Sequence, residues 1–330
     1  MDKQQRMAET ARNAMIHALD LAENDQVLVL TDTITRTCGE AFATGARDHG
    51  CEVTTYILPD EHRPLQELPD GLLPLLDDAT VVINAIVGDA REIPFRLQWI
   101  QATEKCGHVR LGHSPGINED MMLSGPMAVD YGQMLDNAGR LGEAFAAAAG
   151  VHITTTIGTD LTLDLRGRQF VHDLKASLES GVNLPCGEIY CCPVETGADG
   201  TLVIDGCFGS CGVVPAPVTL TVEAGRVVRV ECTDEPTRAA IEQLLDTDEG
   251  ARTIAELGIG LNPGARLTAF MLEAEKAYET AHIAFGSNEG MPGGQSVSQT
   301  HIDYLFTRPT MVVTTTGGEQ RQVLAEGKPV

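Results

Sequence analysis

Aromatic side chains are scarce in this sequence, with one Trp, five Tyr and eight Phe among 330 residues. Val, Leu, Ile and Ala must therefore fill the interior, within an ordinary hydrophobic fraction of 43%. No run of eighteen apolar residues occurs, and the opening "MDKQQRMAETARNAM" is polar, without an apolar stretch. Neither a membrane span nor a secretory signal is expected. Basic residues are also few: 23 Lys and Arg stand against 47 Asp and Glu, a formal charge of -24. That balance argues against nucleic acid or an anionic membrane as a partner, since both demand a basic surface. Nine cysteines are too few for a disulfide scaffold in so long a chain, and their number is odd. Reduced thiols and a cytoplasmic location are the expectation.

Several familiar signatures are missing as well. No G-x-x-x-x-G-K-[ST] occurs, and the glycines of "GIGLNPG" do not fit G-x-G-x-x-G, so nucleotide chemistry has no support. "GHSPG" (112–116) has the form of a nucleophile elbow, but the residue after Ser114 is Pro115, which cannot donate an N–H to an oxyanion. The match is read as a loop. The cysteines of "CGEIYCC" and "CFGSC" form no matched C-x-x-C pairs, so a thiolate zinc site is not indicated.

What is present falls into two textures. Residues 4 to 23 carry Met7, Ala11, Ala14, Met15, Ala18 and Leu19 at helical spacing. The strand "QVLVLTD", a helical pattern over 36–49 and the strand "CEVTTYIL" then complete a β-α-β unit. "ATVVINAIV" and "HVRLGHS" add two further strands. Past residue 150 the segments alternate and turn on glycines, as in "TTTIGTDLTLDLRGR" and "PVTLTVEAGRVVRV", which suggests antiparallel pairing. The expected organisation is α/β: an N-terminal open parallel sheet domain (1–150) and a C-terminal mixed α+β domain (151–330).

Chemistry concentrates in the second half. In "SQTHIDYLFTRP" His301 and Asp303 lie two apart in an apolar run, so a strand would point both to one face. Glu188 in "NLPCGEIYCCP" and Glu256 in "IAELGIGLNPG" are acids entering apolar strands, which costs several kcal/mol (order of magnitude) unless they are paired or metal-bound. His282 precedes the apolar run "IAFG". The acids of "LEAEKAYET", by contrast, read as a solvated helical face with Glu273, Glu275 and Glu279 pairing with Lys276. Carboxylates with two histidines suit a pair of zinc, cobalt or manganese ions, bridged by a carboxylate and activating a water.

At these residues the sequence resembles the aminopeptidase T/aminopeptidase S family of metallo-aminopeptidases. "NLPCGEIYCCP", "AELGIGLNP", "HIAFGSN" and "THIDYLF" follow in that family's order, and "TTTIGTDLTLDLRGR" resembles the segment opening its second domain. The resemblance implies a metal set of Glu188, Glu256, His282, His301 and Asp303, two divalent ions, removal of N-terminal residues from peptides, and a homodimer. Glu289 stands where the family carries a functional tyrosine, seven residues beyond His282, in the Gly-rich loop "SNEGMPGGQSVSQ". Tyr304 and Tyr278 are conceivable replacements. The carboxylate that moves a proton to the leaving amine is Glu188 or Glu289. The sequence also resembles Fe(II)-dependent 2,5-dihydroxypyridine dioxygenases, in which a histidine occupies the Glu256 position and joins the H-x-D pair around one iron. Extra acidic ligands favour the hydrolase over the single open iron. An inactive relative that binds a small molecule is the third reading.

Overall fold

A parallel sheet forms at the start of the chain around apolar runs buried on both faces. In the computed structural model, which describes residues 2–209 and 211–330, its strands are the buried β1 (Gln26–Thr31) and β3 (Val81–Ile86), flanked by the more exposed edge strand β2 (Glu52–Ile57) and by β4 (Arg110–Pro115). They alternate with the helices α1 (Lys3–Leu19), α2 (Arg36–Asp48) and α3 (Ile93–Lys105). Asp2 caps α1 by accepting from the Gln5 N–H at 2.8 Å, and Met7, Ala11, Ala14, Met15 and Ala18 form its buried stripe. Small residues let the helices approach closely. A methyl group on Gly45 of α2 would stand 2.5 Å from the Ala8 carbonyl oxygen of α1. The single tryptophan, Trp99 on α3, is fully buried and donates to Asn84 Oδ1 at 2.7 Å.

The helices α4 (Glu119–Leu123) and α5 (Tyr131–Phe145) follow, then β5 (Ala148–Thr154), β6 (Asp160–Asp164) and β7 (Val171–His172). The next strand, β8 (Val182–Asn183), returns to the parallel sheet and gives it the order β2-β1-β3-β4-β8. The chain accordingly divides into two compact units, 1–132 with 173–186, and 133–172 with 187–330. Ser114 lies on β4, not in a loop as expected from the sequence. It is fully buried and donates its hydroxyl proton to the Leu184 carbonyl at 2.5 Å, so it is spent on structure.

The second unit is antiparallel. Its strands are β5 to β7, β9 (Glu188–Cys191), β10 (Ala198–Ile204), β11 (Val218–Glu223), β12 (Arg226–Cys232), β13 (Ile254–Gly260), β14 (Thr280–Gly286), β15 (His301–Thr307), β16 (Thr310–Thr315), β17 (Gln320–Ala325) and β18 (Lys328–Pro329). Its further helices are α6 (Glu235–Leu245) and the single turn α7 (Met271–Ala274). Eight strands form one sheet in the order β12-β11-β10-β6-β5-β16-β17-β18, and five form another, β15-β14-β13-β9-β7. The α/β class expected from the sequence is the one observed, with parallel pairing in the first unit and antiparallel pairing in the second. Among the described residues, no helix is long and apolar enough to cross a membrane.

Candidate metal centre

The five-stranded sheet has two faces of opposite character, and its register decides which residue goes where. Glu188 lies opposite Gly260, His282 opposite Gly258, Asp303 opposite Ala284 and His301 opposite Gly286. Because directly opposed residues share a face, these four side chains all point one way. Glu256, two residues before Gly258 and opposite Ala284, joins them by ordinary alternation, and an irregularity precedes it. Ile254 pairs with Phe285 and Glu256 with Ala284, so Ala255 is an extra residue in the strand, a β-bulge. The bulge puts Ile254 in the core, where regular alternation would have given it the same polar face as Glu256. The opposite face carries Ile189, Leu257, Ile259, Ile283, Phe285 and Phe306, all buried.

The five residues form two sets that share one carboxylate. Glu188, Glu256 and His282 bring ligand atoms within 4.8 Å of one another, as do Glu256, His301 and Asp303. Glu256 divides its oxygens between them. Its Oε1 lies 3.4 Å from His282 Nε2, and its Oε2 lies 3.1 Å from His301 Nε2. Glu188 Oε2 stands 3.7 Å from His282 Nε2, and Asp303 Oδ1 stands 3.4 Å from His301 Nε2. Most of these separations are long for hydrogen bonds. They match the edges of a metal polyhedron, because two donors each about 2.1 Å from a tetrahedral ion stand about 3.4 Å apart.

Three further features fit a metal. His301 Nδ1 lies 2.7 Å from the Ser287 carbonyl, to which it would donate, and this arrangement leaves Nε2 as the ring nitrogen that would bind an ion held among the carboxylates. Gly258 leaves the room that the His282 ring occupies, since a methyl group there would stand 2.1 Å from its Nε2. Glu188, Glu256, His282 and Asp303 are all buried, whereas the His301 side chain is 35% exposed, so the site is entered from the His301 side.

Electrostatics follow from this crowding. Burial opposes charge on His282, yet its hydrogen bond to Glu256 and the charges of Asp303, Glu256 and Glu188 raise it to about 9. His301 is likewise raised by Asp303 and Glu256 against burial. Burial tends to raise Glu256 and Asp303, but the two histidines hold both below the usual carboxylate range. Protons thus sit on the imidazoles where a divalent ion would replace them.

Two residues assigned to a solvated face belong to this site instead. The helix expected through "LEAEKAYET" is only the turn of α7, and the following Lys276 is fully buried. Its ammonium donates to Glu188 Oε1 and, at 2.6 Å, to Glu275 Oε1. Burial raises the Glu275 carboxyl to about 7, with Asp303 adding to the rise and Lys276 opposing it. Glu273 is buried too, accepting from Arg266 Nε at 3.0 Å, while Glu279 pairs with Lys328 at 3.2 Å. Ala274 and Ala277, on either side of the Glu275–Lys276 pair, carried the local hint of burial.

Glu289 takes part in neither set. It is exposed on the loop 287–300, its N–H directed to Ser287 Oγ. Tyr304 alternates to the apolar face, fully buried between Phe208 and Phe285, so it is no stand-in for the family tyrosine. Tyr278 is half-buried, with its N–H on the Asn262 carbonyl. The loop itself is tethered. Glu195 Oε1 accepts from Asn288 Nδ2 at 3.1 Å and from the Gln295 N–H at 2.8 Å, and Arg168 donates to Glu195 Oε2 and to the Gly293 carbonyl. Among the described residues no cysteine forms a disulfide or joins either set.

Comparison with known proteins bears on the fold and the family. Aminopeptidase AmpS of Bacillus subtilis is 24% identical over 193 residues, covering 52% of this chain and 47% of that protein. The chain thus spans about half the length of the curated relative it matches. Two solved structures share the fold over the full chain. AmpT from Thermus thermophilus gives a TM-score of 0.71 at 17% identity, covering 100% of both chains. The 2,5-dihydroxypyridine dioxygenase from Pseudomonas putida gives 0.74 at 16% identity, covering 100% of this chain and 98% of that one. Residues 140–328, more than half of the sequence and all of the two ligand sets, match the family described as thermophilic metalloprotease (M29), and the chain belongs to that family.

Proposed function

We propose that this protein is a metal-dependent aminopeptidase with two divalent ions, zinc, cobalt or manganese, in adjacent sets that share Glu256. The observation that carries this reading is the division of the Glu256 oxygens between His282 and His301. Each set then has one histidine and two carboxylates. A single Fe(II) centre of the oxygenase kind prefers two histidines and one carboxylate, a combination that neither set provides. Ions held there would supply Lewis acidity and an ionised water at neutral pH.

The match to the metalloprotease family and the likeness to Aminopeptidase AmpS support cleavage at a peptide N-terminus. The chain's own residues account for the rest of the reading. Access from the His301 side lets a small peptide or aminoacyl amide reach both sets. Of the acids able to hand a proton to the leaving amine, Glu275 is placed best. It belongs to neither set and shares the Lys276 ammonium with Glu188, whereas Glu188 is itself a ligand of the first set and Glu289 is exposed on its loop. A homodimer is part of the same proposal, and light scattering checks it.

The deciding test is elemental analysis of protein purified without chelator, followed by release of p-nitroaniline from aminoacyl p-nitroanilides. About two equivalents of zinc, cobalt or manganese, with amide cleavage that Glu256→Gln abolishes, are expected. One equivalent of iron with oxygen uptake on 2,5-dihydroxypyridine would replace the proposal with ring cleavage. No metal after reconstitution would leave an inactive binder.

A further inference from the structure

Lys276 is an unusual neighbour for a site built to hold cations. Its side chain has no solvent exposure, and removing an ammonium from water costs several kcal/mol (order of magnitude) unless its partners compensate. It is delivered by a close backbone approach. A methyl group on Gly260 would stand 2.0 Å from the Ala277 carbonyl oxygen, and Asn262 fixes the same turn, donating its N–H to the Lys276 carbonyl at 2.8 Å. Gly260 is also the residue opposite Glu188, so the end of β13 pairs with the strand that presents Glu188 and packs against the segment that carries Lys276. One ammonium thereby contacts a carboxylate of the first set directly, and a second carboxylate partner, Glu275, belongs to neither set.

We propose that Lys276 is a positioning residue that makes the two ion positions unequal. By occupying Glu188 Oε1 it leaves Oε2 to face His282, so Glu188 offers one oxygen where a free carboxylate could offer two. Its charge also lies against the Glu188/Glu256/His282 set and opposes a second cation there. The Glu256/His301/Asp303 set therefore fills first, and the Glu188/Glu256/His282 set follows at higher ion concentration. This inference rests on the two-ion reading above.

The test is a zinc titration of chelator-treated full-length protein, followed by calorimetry and by NMR of ¹⁵N-labelled histidines. Two steps separated by at least about ten-fold in affinity are expected, with the His301 signal moving in the first and the His282 signal in the second. In Lys276→Met the later step tightens and the two draw together, while Lys276→Arg keeps them apart. Equal steps in the unmodified protein, or His282 responding first, would overturn the proposal whether or not the variants fold. An unchanged separation in a folded Lys276→Met would do the same. Absence of any zinc binding would instead remove the two-ion reading itself, and so the failure of one is distinguishable from the failure of the other.

Discussion

Gly258 and His282 face each other across β13 and β14, and the imidazole lies where a side chain on residue 258 would begin. A Cβ there would stand 2.1 Å from both Cε1 and Nε2 of the ring, so the histidine keeps its direction only while position 258 is glycine. The contact ties a backbone requirement in one strand to the chemistry of the next.

Gly258→Ala is therefore expected to turn His282 out of its set. Overpacking of this kind costs about 1–3 kcal/mol, and zinc uptake should fall at the Glu188/Glu256/His282 set while the other set still binds. Gly139→Ala is the control, since nothing lies within 4 Å of a methyl group there on α5. It should gain about 0.5–1 kcal/mol. Calorimetric melting and metal content together check both. Normal zinc content in Gly258→Ala would contradict the packing argument.

Glu195 governs the loop that joins the two histidine-bearing strands. It receives Asn288 and the Gln295 N–H on one oxygen and Arg168 on the other. Glu195→Ala leaves the Arg168 guanidinium, 8% exposed, without its carboxylate. A loss of about 3 kcal/mol and faster proteolytic nicking within 287–300 are expected. Nicking at the unmodified rate would show that the loop holds without Glu195.

In the first unit Arg63 is shared by two buried acids. Its Nη2 donates to Asp32 at 3.0 Å and its Nη1 to Glu92 at 2.9 Å, and both carboxylates are buried to 1% exposure or less. Arg63→Met strands both charges and should cost about 3–5 kcal/mol. Arg36→Ala removes an exposed pair with Glu40 and should change stability by less than about 0.5 kcal/mol. Urea unfolding of the two variants separates the cases, and similar midpoints would refute the distinction.

His113 makes the stability of the first unit pH-dependent. Its ring is pushed down to about 4 by burial, with the Arg96 charge adding to the shift, and Asn84 Nδ2 donates to its Nδ1 at 3.0 Å. The folded value lies below the unfolded one, so this stabilisation is complete above about pH 6.5 and is lost as pH falls toward 4. The loss amounts to about 2 kcal/mol, given the ring's partial exposure. The difference in melting temperature between His113→Gln and the unmodified protein should accordingly shrink on acidification. A difference independent of pH would exclude His113 as the source.

Local pattern accounts for much of this molecule. The apolar runs at 26–31, 81–86 and 254–260 are strands because their residues can be buried on both faces. The two-residue spacing of His301 and Asp303 puts them on one face of any strand, whatever it pairs with. An acid inside an apolar run marked Glu188 and Glu256 by its cost alone. Tertiary structure decided what spacing could not. The bulge at Ala255 puts Ile254 in the core although it lies two residues from Glu256 on the polar face, and a bulge is a property of the pairing. Division of the Glu256 oxygens between two histidines depends on the register of three strands at once. Lys276 reads as a surface charge within its own segment, yet it pairs with an acid 88 residues earlier in the chain. Burial of a charge is settled by its partners, and those partners become visible only when the chain has folded.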